Sequence, residues 1–422
     1  MKKHVVIIGG GFGGLTAAKE LAHYPELVDV TLIDKRNYHL FQPLLYQVAT
    51  AGLSPADIAA PIRNVLSEAK NVTVYMEEIK SIDPQQSSIV AEKMSSKYDY
   101  LILACGASHS YFGKDHWEEF APGLKTLEMA TEIRRRILMA FENAEKTTDK
   151  NLQKEWLTFI VVGGGPTGVE MAGAITEIAK QTMEADFRNV NPNDTRVVLI
   201  EAGEKVLASF HEKLSRDARF DLEKLGVEVL SSTRVTDINA TGVTFMQKET
   251  TDQVLARTVV WAAGVKPSSI NVTLESEMDR AGRLIVGKDL TIEKYPNVFV
   301  IGDQAHFEEK NGRVLPGLAP VAIQMGRHAA KNIMRRVQGQ TTREFKYTDK
   351  GQMATIGRKL AVMEFKGMKA RGLFAWLAWL LVHIYYLIGF KNRLFVLMQW
   401  TWSYVTFSRG ARLITKRDWK DT

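Results

Sequence analysis

Gly9, Gly11 and Gly14 share one spacing, GxGxxG, with Gly163, Gly165 and Gly168. Each triplet follows an apolar run, "VVII" or "FIVV", and opens a stretch of helical character. The chemistry open to such a turn is the binding of a pyrophosphate. The first glycine permits the tight turn, the second lets backbone approach the phosphates, and the third lets the helix pack close to the strand. The extra glycines Gly10 and Gly13 do not disturb the first spacing. Asp34 ends "VDVTLID" 20 residues after Gly14, where a carboxylate accepts hydrogen bonds from a ribose. Glu201 closes "RVVLIEA" 33 residues after Gly168, the excess falling in a lengthened helix and the loop "FRNVNPNDTR". A carboxylate there repels a 2′-phosphate, which predicts NADH in preference to NADPH. Two turns in one chain predict two different dinucleotides, one reducing the other. A tightly held flavin and an exchangeable nicotinamide satisfy that.

Residues 4–34 read strand, turn, helix, strand, and residues 158–201 repeat the pattern. "TIEKYPNVFVIGDQAH" then returns to the vocabulary of the first unit. The expected fold is α/β, with two Rossmann-like dinucleotide-binding domains, the outer one split around the inner. The expected boundaries are 1–118 and 290–345 for the outer domain, 119–289 for the inner and 346–422 for a C-terminal helical region. The polar stretch "EKTTDKNLQKE", residues 145–155, reads as a hinge between the units.

At 422 residues and 45% hydrophobic, the composition is that of a globular chain of two or three domains. Met1-Lys2-Lys3-His4 runs straight into a strand, so no secretory leader is expected and the body is placed in the cytoplasm. Cys105 is the single cysteine, which excludes an internal disulfide, a CxxC redox pair and a thiolate metal cluster. Its setting, "LILACGAS", reads as a packed small residue with an inert thiol. The nine histidines show no metal spacing.

From Lys366 onward the chain carries ten Lys or Arg against Asp418 and Asp421, leaving the other 365 residues near neutral. Five of the eight tryptophans, Trp376, Trp379, Trp400, Trp402 and Trp419, share this tail. A near-neutral body with a basic, Trp-rich, apolar tail points to an anionic lipid surface and away from nucleic acid. Residues 373–390, "LFAWLAWLLVHIYYLIGF", would span roughly 27 Å as one helix, marginal for a hydrocarbon core of about 30 Å. A second run, "LFVLMQWTWSYVTF", is too short to span, with Lys391 and Arg393 between the two and Arg409 and Arg412 after them. The expectation is therefore a monotopic, amphipathic anchor of two helices within residues 366–422, the Trp and Arg residues forming an interfacial belt, preferred over a transmembrane helix or a buried core hairpin, which stay open as alternatives.

"TIEKYPNVFVIGD" matches the pattern in which a strand delivers an aspartate, here Asp303, to the ribityl chain of FAD. Two Rossmann units with this motif resemble the two-dinucleotide-binding flavoproteins. That assigns FAD, non-covalently held, to the first turn and NADH to the second. Disulfide reductases and sulfide:quinone oxidoreductases of that superfamily need further cysteines, which Cys105 alone does not supply. With the membrane tail, the acceptor becomes a quinone. "NYHLFQPLLYQVATAGLSP", "VVGGGPTGVEMAG", "VVWAAGV", "VFVIGD" and "LPGLAPVAIQMGRHAAKNI" then resemble the type II, non-proton-pumping NADH:quinone oxidoreductases.

This resemblance implies FAD contacts from Gly9, Gly10, Gly11, Phe12, Gly13 and Gly14, and from Asp34, Lys35, Arg36, Ile79, Asp303 and Ala319. It implies NADH contacts from Gly163, Gly165, Gly168, Glu201 and Gly264. Glu170 matches a family glutamate near nicotinamide and flavin, suited to orienting the carboxamide or relaying protons; otherwise its charge merely supports the helix N-terminus. Ala319–Gln324 match a family motif read AQxAxQ, but Pro320 replaces the first glutamine, leaving Gln324 as the amide for quinone. Gln47 is the second quinone-side candidate. His39 and Gln47 lie in the irregular stretch after Asp34, and each reads equally as a functional or a packing residue. His383 reads as a hydrogen-bonded or snorkelling histidine. The resemblance further implies a homodimer on the cytoplasmic face of the cell inner membrane. Two alternatives stay open: a soluble NADH reductase of a carrier such as a ferredoxin, which would lack the tail, and a flavin-dependent sensing protein, which glycine fingerprints cannot distinguish from an enzyme.

Overall fold

The computed structural model describes residues 1–182, 186–406 and 410–415. Contacts divide the chain into two compact units. The first is Met1–Leu40, Ala59–Ser108 and Val265–Lys350; the second is Phe41–Ile58, His109–Gly264 and Gly351–Thr422. Residues 41–58 and the tail from 351 thus pack with the inner dinucleotide fold, while 265–289 pack with the outer one. Residues 145–155 lie inside the second unit and are no hinge between units: Asp149 accepts from the Asn151 and Leu152 N–H groups to start the helix Lys150–Trp156, and Gln153 bonds back to the Ala144 carbonyl.

The sheet of the first unit runs Thr291–Ile292, Tyr295–Val300, Tyr100–Leu103, Lys3–Ile8, Val28–Asp34 and Val72–Met76, all parallel except the first pair. Val5, Val6 and Ile7 are fully buried, because a central parallel strand is covered on both faces and selects an uninterrupted apolar run. The helix Phe12–Leu21 leaves the first strand through the glycine turn and crosses the helix Ala319–Val337. Their backbones meet at glycine: a Cβ on Gly326 would lie 2.2 Å from the Gly13 carbonyl oxygen.

In the second unit, Val227–Leu230, Arg196–Ile200, Thr158–Val162 and Thr258–Trp261 form a four-stranded parallel sheet. The helix Pro166–Glu177 follows its glycine turn and continues as a wider turn to Thr182, part of the excess length before Glu201. An antiparallel sheet, Gln352–Gly357, Leu360–Phe365 and Met368–Arg371, then packs against the helix Leu373–Tyr386. Ala361, Met363, Ala375 and Trp376 make their shared core.

The apolar stretch 373–390 is therefore not one helix. Gly389 takes a left-handed φ of +87°, and Arg393 donates to the carbonyls of Leu387 and Tyr385, capping the end of the first helix. A second helix, Phe390–Thr406, begins beyond the break. Among the described residues no helix is long and apolar enough to cross a membrane. The belt expectation is also corrected: Trp376, Trp379 and Trp400 are buried within the unit, and of the tail tryptophans described only Trp402 is exposed. Trp419 and Arg409 lie outside the described residues.

Candidate active site

The two glycine turns are built alike. Gly9 and Gly163 have φ of +104° and +110°, and a Cβ on either would strike the backbone of Ala104 or Ala262. A Cβ on Gly14 would lie 1.9 Å from the Gly9 oxygen, and one on Gly168 would lie 1.7 Å from the Gly163 oxygen. These four positions are glycine for closure of the turn itself. Gly11 and Gly165 differ: both have φ of −72°, and a Cβ there meets nothing within 4 Å. Each is the N-cap of its helix and neither helix has a side-chain cap, so the first-turn N–H groups and the helix dipole face outward toward an anion.

The carboxylates match as well. Asp34 accepts from the Gly10 N–H at 2.6 Å and the Arg36 N–H at 2.7 Å. Glu201 accepts from the Gly164 N–H at 2.5 Å and the Gly203 N–H at 2.6 Å. Each ties its turn to the loop after the neighbouring strand, and carboxylate oxygens accept more than one bond, leaving capacity for a ribose hydroxyl. Around the first turn lie Phe12, edge-on to His39 at 5.1 Å; Lys35, 3.9 Å from Glu78; and Ile79, starting the strand Ile79–Asp83. Asp303 sits on the turn after Tyr295–Val300, with Gly317 so close that a Cβ there would lie 3.0 Å from its carboxyl. Ala319 begins its helix. Gly264, φ +77°, closes the strand Thr258–Trp261 of the second unit, under Phe112.

Glu170 lies one turn into the helix Pro166–Glu177. The residue keeps some solvent access, yet dense surroundings dominate its titration: burial pushes the carboxyl up to about 8, against a hydrogen bond from the Thr355 backbone N–H. Such a group holds a proton at neutral pH. The Thr355 hydroxyl bonds the Tyr46 hydroxyl at 3.1 Å, Gln47 Nε2 donates to Tyr46 at 3.0 Å, and Trp400 Nε1 donates to Gln47 Oε1 at 2.7 Å. The indole is a donor only, so it fixes which way the Gln47 amide points. Gln47 thereby joins the tail helix to the strand facing Glu170. Gln47 and Glu170 stand out in the sequence, whereas Tyr46 and Thr355 do not, because their pairing joins two distant stretches of chain and has no local signal.

Gln324 belongs to the first unit, where its amide exchanges two bonds with the Thr348 backbone, 2.9 Å from Nε2 to the oxygen and 3.0 Å from the N–H to Oε1. The structure therefore gives it a backbone-holding contact that the motif did not announce. Cys105 donates its N–H to Gln304 and its thiol to the Ile8 carbonyl; burial pushes the thiol up to about 12, leaving it almost wholly protonated. His383 stacks on Trp379 at 4.1 Å, bonds the Trp379 carbonyl and is held neutral by burial, down to about 4.

The tail helices carry one more feature. Leu373, Leu377 and Leu381 are exposed at helical spacing, Leu381 to 74%, and so are Phe390, Leu394 and Leu397, Phe390 to 81%. Large exposed apolar side chains repeated at helical spacing on each of two consecutive helices mark surfaces suited to an apolar phase.

Residues 3–326 match the pyridine nucleotide-disulphide oxidoreductase family, and residues 350–409 match the NDH2 C-terminal domain. The chain is 43% identical to the type II NADH:quinone oxidoreductase Ndh of Mycobacterium tuberculosis, across 98% of this chain and 90% of that protein. Identity to the type II NADH:quinone oxidoreductase of Staphylococcus haemolyticus is 31%, across 84% of this chain and 88% of that protein. Among solved structures, NDH2 from Plasmodium falciparum in complex with NADH superposes with a TM-score of 0.90 at 21% identity, covering 99% of this chain and 100% of that one. The sulfide:quinone oxidoreductase of Aquifex aeolicus gives 0.73 at 20% identity, covering 93% and 91%. Those two likenesses speak to the fold; the near full-length sequence identities speak to the family. The chain belongs to the type II NADH:quinone oxidoreductases.

Proposed function

We propose that the chain oxidises NADH through FAD and reduces a membrane quinone to quinol, without pumping protons. The observation that carries this reading is the duplicated turn, each copy ending in a carboxylate that accepts two backbone N–H bonds and each opening on an uncapped helix start. Gly9–Gly14, Asp34, Lys35, Arg36, Ile79, Asp303 and Ala319 fit FAD, for Gly11 leaves room beside a helix N-terminus where a pyrophosphate belongs. Gly163, Gly165, Gly168, Glu201 and Gly264 fit NADH, and Glu201 disfavours the 2′-phosphate of NADPH. Bound FAD supplies the hydride acceptor and the two-electron donor. The protein supplies orientation and protons. Overall, NADH, one proton and quinone give NAD⁺ and quinol: the hydride of NADH carries one hydrogen with both electrons, and Glu170, protonated at neutral pH, can give the remaining proton from its carboxyl oxygen. Gln47 and Gln324 are the quinone-side amides of this reading.

The exposed apolar side chains on the tail helices support a peripheral seat on an anionic lipid surface, with Lys366, Lys369 and Lys391 nearby in sequence to meet headgroups. We place this seat on the cytoplasmic face of the inner membrane and take the enzyme as a homodimer. The test is anaerobic NADH consumption by the FAD-loaded chain, with a short-chain quinone or a ferredoxin-type protein as acceptor. Turnover with quinone alone supports the reading. Turnover only with the protein carrier, or with neither, removes it.

A further inference from the structure

The two glycine turns share a restraint that the sequence does not display. In the second turn the carbonyl of Gly164 accepts a hydrogen bond from the Leu207 backbone N–H at 2.7 Å. Leu207 is buried and takes a left-handed φ of +49°, a conformation a non-glycine residue holds only where its surroundings impose it. In the first turn the equivalent carbonyl, that of Gly10, faces His39 Nδ1 at 3.0 Å. A carbonyl only accepts, so Nδ1 carries the proton and donates. Burial holds the ring neutral, down to about 4, with Lys19 adding to the effect and the Gly10 bond opposing it.

We infer that His39 is the positioning residue of the FAD turn: its Nδ1–H holds the Gly10 carbonyl inward and so aims the Gly11 N–H outward at the pyrophosphate. Gly10 C=O and Gly11 N–H belong to one planar trans peptide and point in opposite directions. The Gly10 N–H is held separately by Asp34 at 2.6 Å, so the residue is fixed at both its donor and its acceptor. Local structure sets the clamp: Tyr38–Leu40 pairs antiparallel with Ala59–Pro61, and Ile62 donates to the Asn37 carbonyl. That pair brings His39 to the carbonyl and Ile62 against the Cα, where a Cβ on Gly10 would lie 2.5 Å from Ile62 Cδ1. A side chain thus does in the first turn what a backbone N–H does in the second.

The inference rests on FAD occupying the first turn, and the experiment separates the two claims. FAD-loaded protein is diluted and release is followed by recovery of flavin fluorescence, for wild type and for His39→Phe, His39→Asn and His39→Gln. Asn places an amide nitrogen at the Nδ1 position, whereas Gln places it one bond further out. One neutral hydrogen bond is worth about three- to tenfold, so Phe and Gln should release FAD about that much faster. Asn should stay within about twofold of wild type, with KM for NADH unchanged in all variants that retain flavin. Release from His39→Phe at the wild-type rate, or equally fast release from Asn and Gln, overturns the inference. If the Phe variant does not fold, the Asn and Gln pair decides by the same comparison. Wild-type protein that holds no FAD overturns the cofactor assignment and the inference with it.

Discussion

Replacing Glu170 by Gln should stabilise the protein at alkaline pH while impairing its reaction. The carboxyl ionises near 4.5 in an unfolded chain and near 8 in the folded one, where burial opposes the charge and the Thr355 N–H only partly offsets it. Between those values the folded state binds one proton more than the unfolded state, so stability falls as pH rises. Linkage over this interval gives a loss of about 3.5 kcal/mol from pH 5 to pH 8 attributable to Glu170 alone. Solvent reaching part of the residue screens the charge, which brings the expected loss to about 2–3 kcal/mol. Gln has the same shape, stays neutral and can still accept from Thr355. Urea midpoints of the FAD-loaded wild type and Glu170→Gln, read by tryptophan fluorescence at pH 5, 6.5 and 8, isolate the effect because every other titrating group is common to both. The curves should nearly coincide at pH 5 and separate at pH 8, with the variant more stable. Parallel curves would refute the burial of a protonated carboxyl, and a wild type gaining on the variant with pH would show an ionised, partnered one. Quinone turnover should fall about 100-fold or more in the same variant, the ordinary cost of losing a general acid.

Gly165→Ala should fold with wild-type stability, because its backbone suits alanine and the new methyl meets no atom, yet raise KM for NADH at least about tenfold by standing where the pyrophosphate must approach. Gly168→Ala should instead fail as a fold, since its Cβ would lie 1.7 Å from the Gly163 oxygen; soluble-protein yield distinguishes the two. Glu201→Ser should narrow the preference for NADH over NADPH, measured as the ratio of the two kcat/KM values, because the carboxylate that repels a 2′-phosphate is gone. Leu377→Glu with Leu381→Glu should lower co-sedimentation with anionic vesicles several-fold while flavin content and midpoint stay unchanged, as both side chains are exposed. Trp379→Ala, in contrast, should cost about 3–5 kcal/mol, because that ring is 1% exposed and packs on Tyr46, His383 and Trp400.

The parts legible in the sequence were those carried by local pattern. In each unit a buried parallel strand, a glycine turn and a terminal acid fall within one contiguous stretch, residues 3–34 and residues 158–201, so both dinucleotide folds are legible directly. Long-range packing was not legible. Trp376, Trp379 and Trp400 suggested a membrane belt by composition alone, and only the sheet 352–371 and the segment 41–58 show why they are core. Arg393 looked like an interfacial cation and proves to be a helix cap. Residues 145–155 looked like a hinge because they are polar, but Asp149 and Gln153 spend their polarity on a helix start and a neighbouring carbonyl. His39 and Gln47 were undecidable for one reason: the partner of each, Gly10 or Trp400, is set by tertiary contact.

The most direct test of the central claim is anaerobic stopped-flow absorbance of the flavin in mild detergent. The FAD-loaded chain is first reduced with one equivalent of NADH and then mixed with a short-chain quinone. Fast bleaching by NADH followed by fast recovery of the flavin band on quinone is the result expected of NADH:quinone oxidoreduction through FAD. Fast bleaching with recovery no faster than without quinone would contradict it and leave a protein carrier or a sensing role in its place.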